Sequence, residues 1–195
     1  MPDAARHDLL LIRHAPALTG GCMAGRRDVP ADLGDRAALP AVRRMIGPVG
    51  RIIASPARRC IETAQALFDL AEVEADPRLW EQDFGAWEGL PYADLPDLGP
   101  LSGAQLAVHR PPDGESFADL CARTLPALEA LIEPCGPVAI VAHAGTVRAG
   151  LAMALGDVAA ALRFSVEPLS LTRLCRAGEG WAVLGVNQTA QAGVA

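Results

Sequence analysis

Short apolar runs separated by amphipathic stretches dominate the hydrophobic pattern of this chain. Three runs, at residues 9–13, 51–54 and 137–142, are compact and almost entirely aliphatic, which is typical of buried strands. Because stretches with helical periodicity separate them, the pattern predicts an α/β protein built on an open sheet. Weaker strand-like runs lie at residues 73–75, 162–166, 169–175 and 181–186.

Helical periodicity fills the intervals between these runs. It predicts helices over residues 32–46, 56–70, 117–133 and 144–155. Pro126 lies inside the third helix and is expected to kink or break it, because proline cannot donate to the helical hydrogen-bond ladder.

The second predicted helix has a strong start signal and an unusual first turn. Ser55 suits the N-cap position and Pro56 the first helical position. Arg58 and Arg59 then lie in the first turn, where the helix dipole disfavours cations. A bound anion would remove this conflict, so the pair indicates a phosphate group near the helix start.

Two histidines directly follow predicted buried strands. Arg13-His14 ends the first strand, and His143, with Gly145 two residues later, ends the strand at 137–142. Open α/β sheets bind ligands at the carboxyl ends of their strands. Both histidines are therefore candidates for one site, and the glycine-rich loop that follows His14 adds Arg26 as a candidate anion ligand.

Acidic side chains beside tryptophans mark residues 79–89. Glu81 follows Trp80, and Glu88 follows Trp87. Apolar walls beside a carboxyl group favour its protonated form, which a general acid needs. The proline-rich segment at about 90–114 has no clear periodicity and is interpreted as a lid or specificity loop.

The net charge and the type of basic residue exclude several classes of function. The net charge of −6 and pI near 5.2 argue against nucleic acid and against an anionic membrane as partners. All 17 basic residues are arginine, so mechanisms that use a lysine are excluded. Arginine also suits bidentate phosphate binding, although a genome with a high G+C content is the better explanation of the missing lysine.

Length and cysteine usage favour one cytoplasmic domain. The 195 residues predict a single domain over 1–195, with a frayed tail at about 187–195. Neither a secretion signal nor a run of transmembrane length is evident. The cysteines are odd in number, lack C-x-x-C spacing and are expected to be free thiols: Cys22, Cys60, Cys121, Cys135 and Cys175.

Five motifs occur in the order seen in the histidine phosphatase superfamily, and the chain from about residue 8 to 155 resembles that family. The resemblance implies a phosphoglycerate mutase-like fold: a three-layer α/β/α sandwich with a mostly parallel central sheet. Within the family, the sequence looks most similar to the α-ribazole phosphatase-like branch of cobalamin synthesis. The motifs are Leu-Ile-Arg13-His14, Ser55-Pro56-x-Arg58, Glu81-x-x-Phe-Gly-x-Trp-Glu88-Gly89, Gly114-Glu115-Ser116 and Val-x-His143-x-Gly145.

The resemblance also implies roles for individual residues. His14 would be the nucleophile that becomes phosphohistidine, and Glu81 would donate a proton to the leaving oxygen. Arg13, Arg58 and a protonated His143 would hold the non-bridging oxygens. Arg26 and Gly145 would contact the substrate, and neither a cofactor nor a metal is implied.

Three positions depart from the family pattern. Ala15 stands where the family usually has glycine, and Ala17 and Gly20 stand where threonine and asparagine are often found. The loss of those two polar groups weakens the match to a mutase-type site.

Several functions remain open from the sequence. The favoured one is hydrolysis of a small phosphorylated metabolite, with α-ribazole 5′-phosphate as one candidate. A phosphoglycerate mutase, a protein-phosphohistidine phosphatase, a metallohydrolase and a degenerate phosphate-binding protein are the alternatives. A homodimer is also compatible with the sequence.

Overall fold

The computed structural model describes residues 8–34, 38–132 and 136–190. Its centre is one six-stranded sheet with the order β3-β2-β4-β1-β5-β6. The first four strands in this order are mutually parallel, and β5 and β6 are antiparallel to their neighbours. The prediction of a mostly parallel sheet is therefore confirmed. The strands are β1 (Asp8–Arg13), β2 (Arg51–Ala54), β3 (Glu74–Ala75), β4 (Val138–Ala142), β5 (Leu171–Ala177) and β6 (Gly180–Gln188).

The helices cover both faces of the sheet. On one face, α1 and α2 pack against alternate β1 side chains such as Leu10 and Ile12. On the other face, α4, α5 and α6 pack against Leu9 and Leu11. Since β1 and β4 are covered on both sides, their sequences are continuous apolar runs. The helices are α1 (Leu39–Ile46), α2 (Arg58–Phe68), α3 (Gly103–Val108), α4 (Phe117–Ala130), α5 (Ala144–Leu155) and α6 (Val158–Ala161).

Several predicted boundaries were wrong. The first helix begins at Leu39 instead of residue 32, and α4 continues through Pro126, so the helix is not broken there. Residues 162–166 form no strand; they follow α6 as a turn in which Val166 alone is fully buried. The predicted end of the third helix at 133 and the last part of the tail, residues 191–195, lie outside the described residues. The predicted start of the frayed tail at about 187 was wrong, because β6 continues to Gln188.

The segment at 90–114 contains more regular structure than its sequence predicted. It holds a 3-10 turn at Tyr92–Asp94 and the short helix α3. Ser102 and Gln105 form a reciprocal capping box at the start of α3, which explains why this helix forms in a proline-rich segment. Across the described part of the chain, none of the helices has the length and apolar character needed to cross a bilayer.

Candidate active site

The sheet brings the two predicted histidines together. β1 and β4 are parallel neighbours with Arg13 opposite Ala142, so His14 and His143 emerge side by side at their carboxyl ends. The His14 N–H donates to the Ala142 carbonyl at 2.9 Å. The imidazole centroids are 5.2 Å apart in an edge-to-face arrangement. Two strands that are distant in sequence thus form one site at the sheet edge where ligands bind.

The surroundings of His14 determine its tautomer and charge. Its Nδ1 lies 2.5 Å from the Ala15 carbonyl, so Nδ1 carries the proton and Nε2 is unprotonated. Thr63 holds this turn in place by accepting from the Ala15 N–H at 3.0 Å. Burial, together with the charges of Arg59 and Arg13, lowers the pKa of His14 from 6.5 to about 3. His14 is therefore a neutral imidazole at neutral pH.

Arg59 joins the two histidines. This arginine is only 1% exposed, and its Nε donates to His14 Nε2 at 3.3 Å. Its Nη2 donates to His143 Nδ1 at 3.2 Å and to the Gly25 carbonyl at 2.7 Å. Its Nη1 donates to the Arg27 carbonyl at 2.9 Å, so one guanidinium also fixes the loop that follows β1.

Arg58, which the sequence placed in the site, lies outside it. Its side chain points to solvent and pairs with Glu62 at 2.6 Å. Its backbone N–H donates to the Asp28 carboxylate at 2.7 Å, so a side chain of this protein caps the helix end where an anionic ligand was expected. Because α2 begins at Arg58, the next residue, Arg59, faces the sheet and occupies the site.

His143 is buried and neutral, not protonated as the sequence interpretation assumed. Burial, reinforced by the charge of Arg59, lowers its pKa well below 6.5. Since Arg59 donates to Nδ1, the proton resides on Nε2, which donates to Ser55 Oγ at 2.8 Å. The Trp80 ring is stacked on His143 with centroids 6.4 Å apart. Trp80 therefore packs on this histidine, whereas the sequence predicted that it forms an apolar wall beside the Glu81 carboxyl group.

Arg13 ends β1 and lines the same cavity. Its Nη1 donates to the Val166 carbonyl at 2.5 Å, while its Nε is buried without a hydrogen-bond partner. Burial lowers the pKa of Arg13, and the charges of Glu81 and Glu167 oppose that change. A buried donor without a partner is costly, so this guanidinium is suited to bind an anion in the cavity.

Glu81 enters the cavity next to Gly145. Its Oε2 accepts from the Gly145 N–H at 3.4 Å and its Oε1 from the Gln82 N–H at 3.0 Å. A Cβ atom at position 145 would lie 2.2 Å from Glu81 Oε1. Gly145, predicted as a substrate contact, lines the cavity and also provides the space that the Glu81 carboxylate needs.

Glu88 and Arg26 hold the loop instead of lining the cavity. Glu88 Oε1 accepts from the Arg26 N–H at 2.7 Å and from the Phe84 N–H at 3.1 Å. The Arg26 guanidinium pairs with Asp83 at 3.5 Å and with Glu115 at 3.4 Å. The structure thus directs Arg26 toward carboxylates and away from the substrate-binding position predicted for it.

Sequence reasoning missed three residues that shape the site. Thr63 supports the His14 turn, and Arg123 donates to the carbonyls of Trp80 and Glu81 at 2.8 and 2.9 Å. Arg148 lines the cavity from α5. Helical spacing from Gly145 could have identified Arg148, whereas no local pattern marks the other two.

The cavity at this edge of the sheet has a volume of about 460 Å³. It is large enough for a small metabolite. Within residues 8–34, 38–132 and 136–190, no three His, Cys, Asp or Glu side chains are grouped so that they could hold a metal ion. The walls of the cavity combine charged and apolar groups, among them Arg13, His14, Arg59, Glu81, Arg148 and Phe117.

Sequence comparison finds relatives along most of the chain. The sequence profile of the histidine phosphatase superfamily (branch 1) matches residues 9–189. A glucosyl-3-phosphoglycerate phosphatase of Mycolicibacterium vanbaalenii is 32% identical over 169 residues, which cover 76% of this chain and 74% of the relative. A protein of the same name from Mycobacterium tuberculosis is 32% identical over 161 residues, 72% of each chain.

Solved structures show the same fold. A mycobacterial glucosyl-3-phosphoglycerate phosphatase in complex with VO3 superposes with a TM-score of 0.80 at 28% identity, covering 94% of this chain and 100% of the other. An Escherichia coli protein described as a putative alpha-ribazole-5′-P phosphatase has a TM-score of 0.78 at 20% identity, covering 95% and 97%. These likenesses confirm the phosphoglycerate mutase-like fold that the motifs implied.

Proposed function

Since this chain belongs to the histidine phosphatase superfamily and is a phosphatase of that type, we propose that it hydrolyses a small phosphomonoester through a phosphohistidine at His14. The observation that carries the proposal is the state of His14. Its Nε2 carries no proton and accepts a hydrogen bond from Arg59 Nε at 3.3 Å, and His14 lines a cavity that also contains Arg13. A neutral nucleophile beside fixed cations is what phosphoryl transfer requires.

In the first half of the proposed reaction, the hydrogen bond donated by the Arg59 Nε–H passes from His14 Nε2 to a phosphate oxygen as the substrate binds. His14 Nε2 then attacks phosphorus and the bond to the leaving oxygen breaks. The guanidiniums of Arg13 and Arg59 bind non-bridging oxygens, and His143, whose Nδ1 accepts from Arg59, keeps that guanidinium in position. Glu81 in its protonated form donates its proton to the leaving oxygen.

In the second half, water attacks the phosphohistidine. Glu81, now a carboxylate, accepts the proton from that water, and the bond between phosphorus and Nε2 breaks. Inorganic phosphate leaves, His14 is again neutral, and Glu81 is protonated for the next cycle. The tautomer set by the Ala15 carbonyl keeps the proton on Nδ1 throughout.

The relatives rank the substrate candidates. Proteins that are 32% identical to this chain are named glucosyl-3-phosphoglycerate phosphatases. The α-ribazole phosphatase likeness, at 20% identity, supports the fold alone. We therefore place a phosphorylated glyceric acid derivative ahead of α-ribazole 5′-phosphate as the substrate. Phosphate release from glucosyl-3-phosphoglycerate and from α-ribazole 5′-phosphate, measured at equal concentration, compares the two candidates directly.

The phosphoenzyme provides the test of the reaction. Rapid quenching of the wild-type protein with ³²P-labelled substrate should trap label that is acid-labile and base-stable, as a phosphoramidate is. His14→Ala should trap none and should lose turnover, because the substitution removes the nitrogen that attacks phosphorus.

His109→Ala is the matched control. His109 stacks on Trp87 with centroids 5.5 Å apart and does not line the cavity, so this variant should still trap label. Turnover by His14→Ala at a near-normal rate would refute the phosphohistidine route.

A further inference from the structure

Arg148 presents an unused guanidinium to the cavity. It lies on α5, five residues after His143, which is about 7.5 Å further along the helix axis. Its Nε donates to the Phe164 carbonyl at 3.0 Å. In the described part of the chain, its Nη1 and Nη2 have no hydrogen-bond partner and no carboxylate pairs with it.

One short segment orients both Arg148 and Arg13. The Phe164 carbonyl accepts from Arg148, and the Val166 carbonyl accepts from Arg13 at 2.5 Å. Each arginine is therefore held by one nitrogen while its other donors remain available to a ligand. Their positive charges repel one another across the cavity, so a bound anion would relieve that repulsion.

The charges that line the cavity exceed those that a phosphate needs. Three arginines, Arg13, Arg59 and Arg148, line it together with the single carboxylate of Glu81. When Glu81 carries its proton, the dianion of a phosphomonoester balances two of the three guanidiniums. The third positive charge is then left for a second, singly charged anionic group on the substrate.

We propose that Arg148 binds a carboxylate of the substrate, so that the enzyme prefers phosphomonoesters of short hydroxy acids to their uncharged analogues. A planar carboxylate matches the two free nitrogens of the guanidinium in a bidentate arrangement. This inference rests on the proposed phosphatase function and names the class of substrate for that same site.

A matched pair of substrates tests the proposal. 3-Phosphoglycerate and glycerol 3-phosphate differ only in a carboxylate that replaces a hydroxymethyl group. The wild-type enzyme should have the higher kcat/KM for 3-phosphoglycerate. Arg148→Met should reduce that preference by about 10- to 100-fold, the usual worth of a hydrogen-bonded charge pair. The loss should be mainly in KM, because the contact is remote from the bond that breaks.

Two further variants complete the test. Arg163→Met removes an exposed arginine of the same region that does not line the cavity, and its substrate preference should equal that of the wild type. Arg148→Lys retains the charge without the planar fork and should keep more of the preference than Arg148→Met. The lysine variant also supplies the measurement if the methionine variant fails to fold.

The possible failures can be told apart. Equal losses on both substrates in Arg148→Met and Arg148→Lys, or a wild-type enzyme without preference, would overturn the carboxylate assignment while leaving the phosphatase function intact. A wild-type protein that hydrolyses neither substrate nor p-nitrophenyl phosphate would instead overturn the proposed function.

Discussion

At the scale of single residues, surroundings separate two carboxylates that look alike in sequence. Glu81 and Glu88 both follow a tryptophan. Glu88 accepts two backbone N–H groups and ties the loop of Arg26 to Phe84, whereas Glu81 lines the cavity beside Gly145. Because a general acid must reach the leaving oxygen, this placement favours Glu81 for proton transfer.

Glu81→Gln should therefore show a dependence on the leaving group. On an alkyl phosphate we expect a loss of roughly 10²–10⁴-fold in kcat/KM, the usual worth of general acid catalysis. On p-nitrophenyl phosphate, whose leaving group departs as an anion, the loss should be far smaller when phosphoenzyme formation limits the rate. Steady-state kinetics on both substrates measures the difference.

Glu88→Gln is the control for this prediction. Any loss that it causes should be similar on the two substrates, because it acts by loosening the loop. If the leaving-group dependence appeared at Glu88, or if Glu81→Gln lost activity equally on both, Glu81 would not be the proton donor.

At the scale of elements, the start of α2 decides which arginine enters the site. Consecutive helical residues differ by about 100° around the axis, so Arg58 and Arg59 cannot face the same way. Ala57 is the N-cap, and Ser55 Oγ accepts from the Ala57 N–H at 3.4 Å instead of capping the helix itself. The helix thus begins later than Ser55-Pro56 predicted, with Arg59 inward and Arg58 outward.

Arg59→Gln and Arg58→Gln should consequently have very different effects. The first removes a fixed positive charge and the contacts that join His14 to His143, so kcat/KM should fall by about 10²–10³-fold. The second removes an exposed ion pair with Glu62 and should leave kcat/KM within about threefold of the wild type. Comparable losses in the two variants would contradict this orientation of α2.

At the scale of the whole molecule, two buried neutral histidines connect the site to stability. The folded state holds the pKa of His14 at about 3, and the ordinary value is 6.5. Between these values the unfolded chain binds the proton more readily than the folded one. The contribution to stability is therefore complete above about pH 6.5 and declines as the pH falls toward 3. The pKa of His143 is also lowered in the folded state, so this residue contributes to the pH dependence of stability in the same direction.

The free energy of unfolding should thus decrease on acidification. From the change at His14 alone we expect a loss of about 2 kcal/mol between about pH 7.5 and pH 5. Urea denaturation at a series of pH values measures it. His14→Asn, which removes that titrating group, should have a shallower dependence on pH. If the free energy of unfolding changed equally with pH in the variant and in the wild type, His14 would not be the source of the pH dependence.

The sequence by itself determined the strands and the main chemical groups. Continuous apolar runs report burial on both faces, so β1, β2 and β4 were predicted within about a residue, and parallel strands direct their carboxyl ends to one edge. That reasoning placed His14 and His143 in one site. The adjacent Arg13 and the acidic stretch containing Glu81 followed from the same local patterns.

Only the tertiary structure decided which neighbouring groups enter the cavity. The choice of Arg59 over Arg58 depends on where α2 begins, and the absence of Arg26 from the cavity lining depends on carboxylates that are distant in sequence. The protonation of His143 depends on its burial against Arg59, and Arg148 reaches the cavity because of how α5 packs. The choice of Arg59, the position of Arg26 and the protonation of His143 are set by contacts between segments far apart along the chain, and local periodicity carries no information about such contacts. Helical spacing makes Arg148 a candidate, and the packing of α5 places it at the cavity.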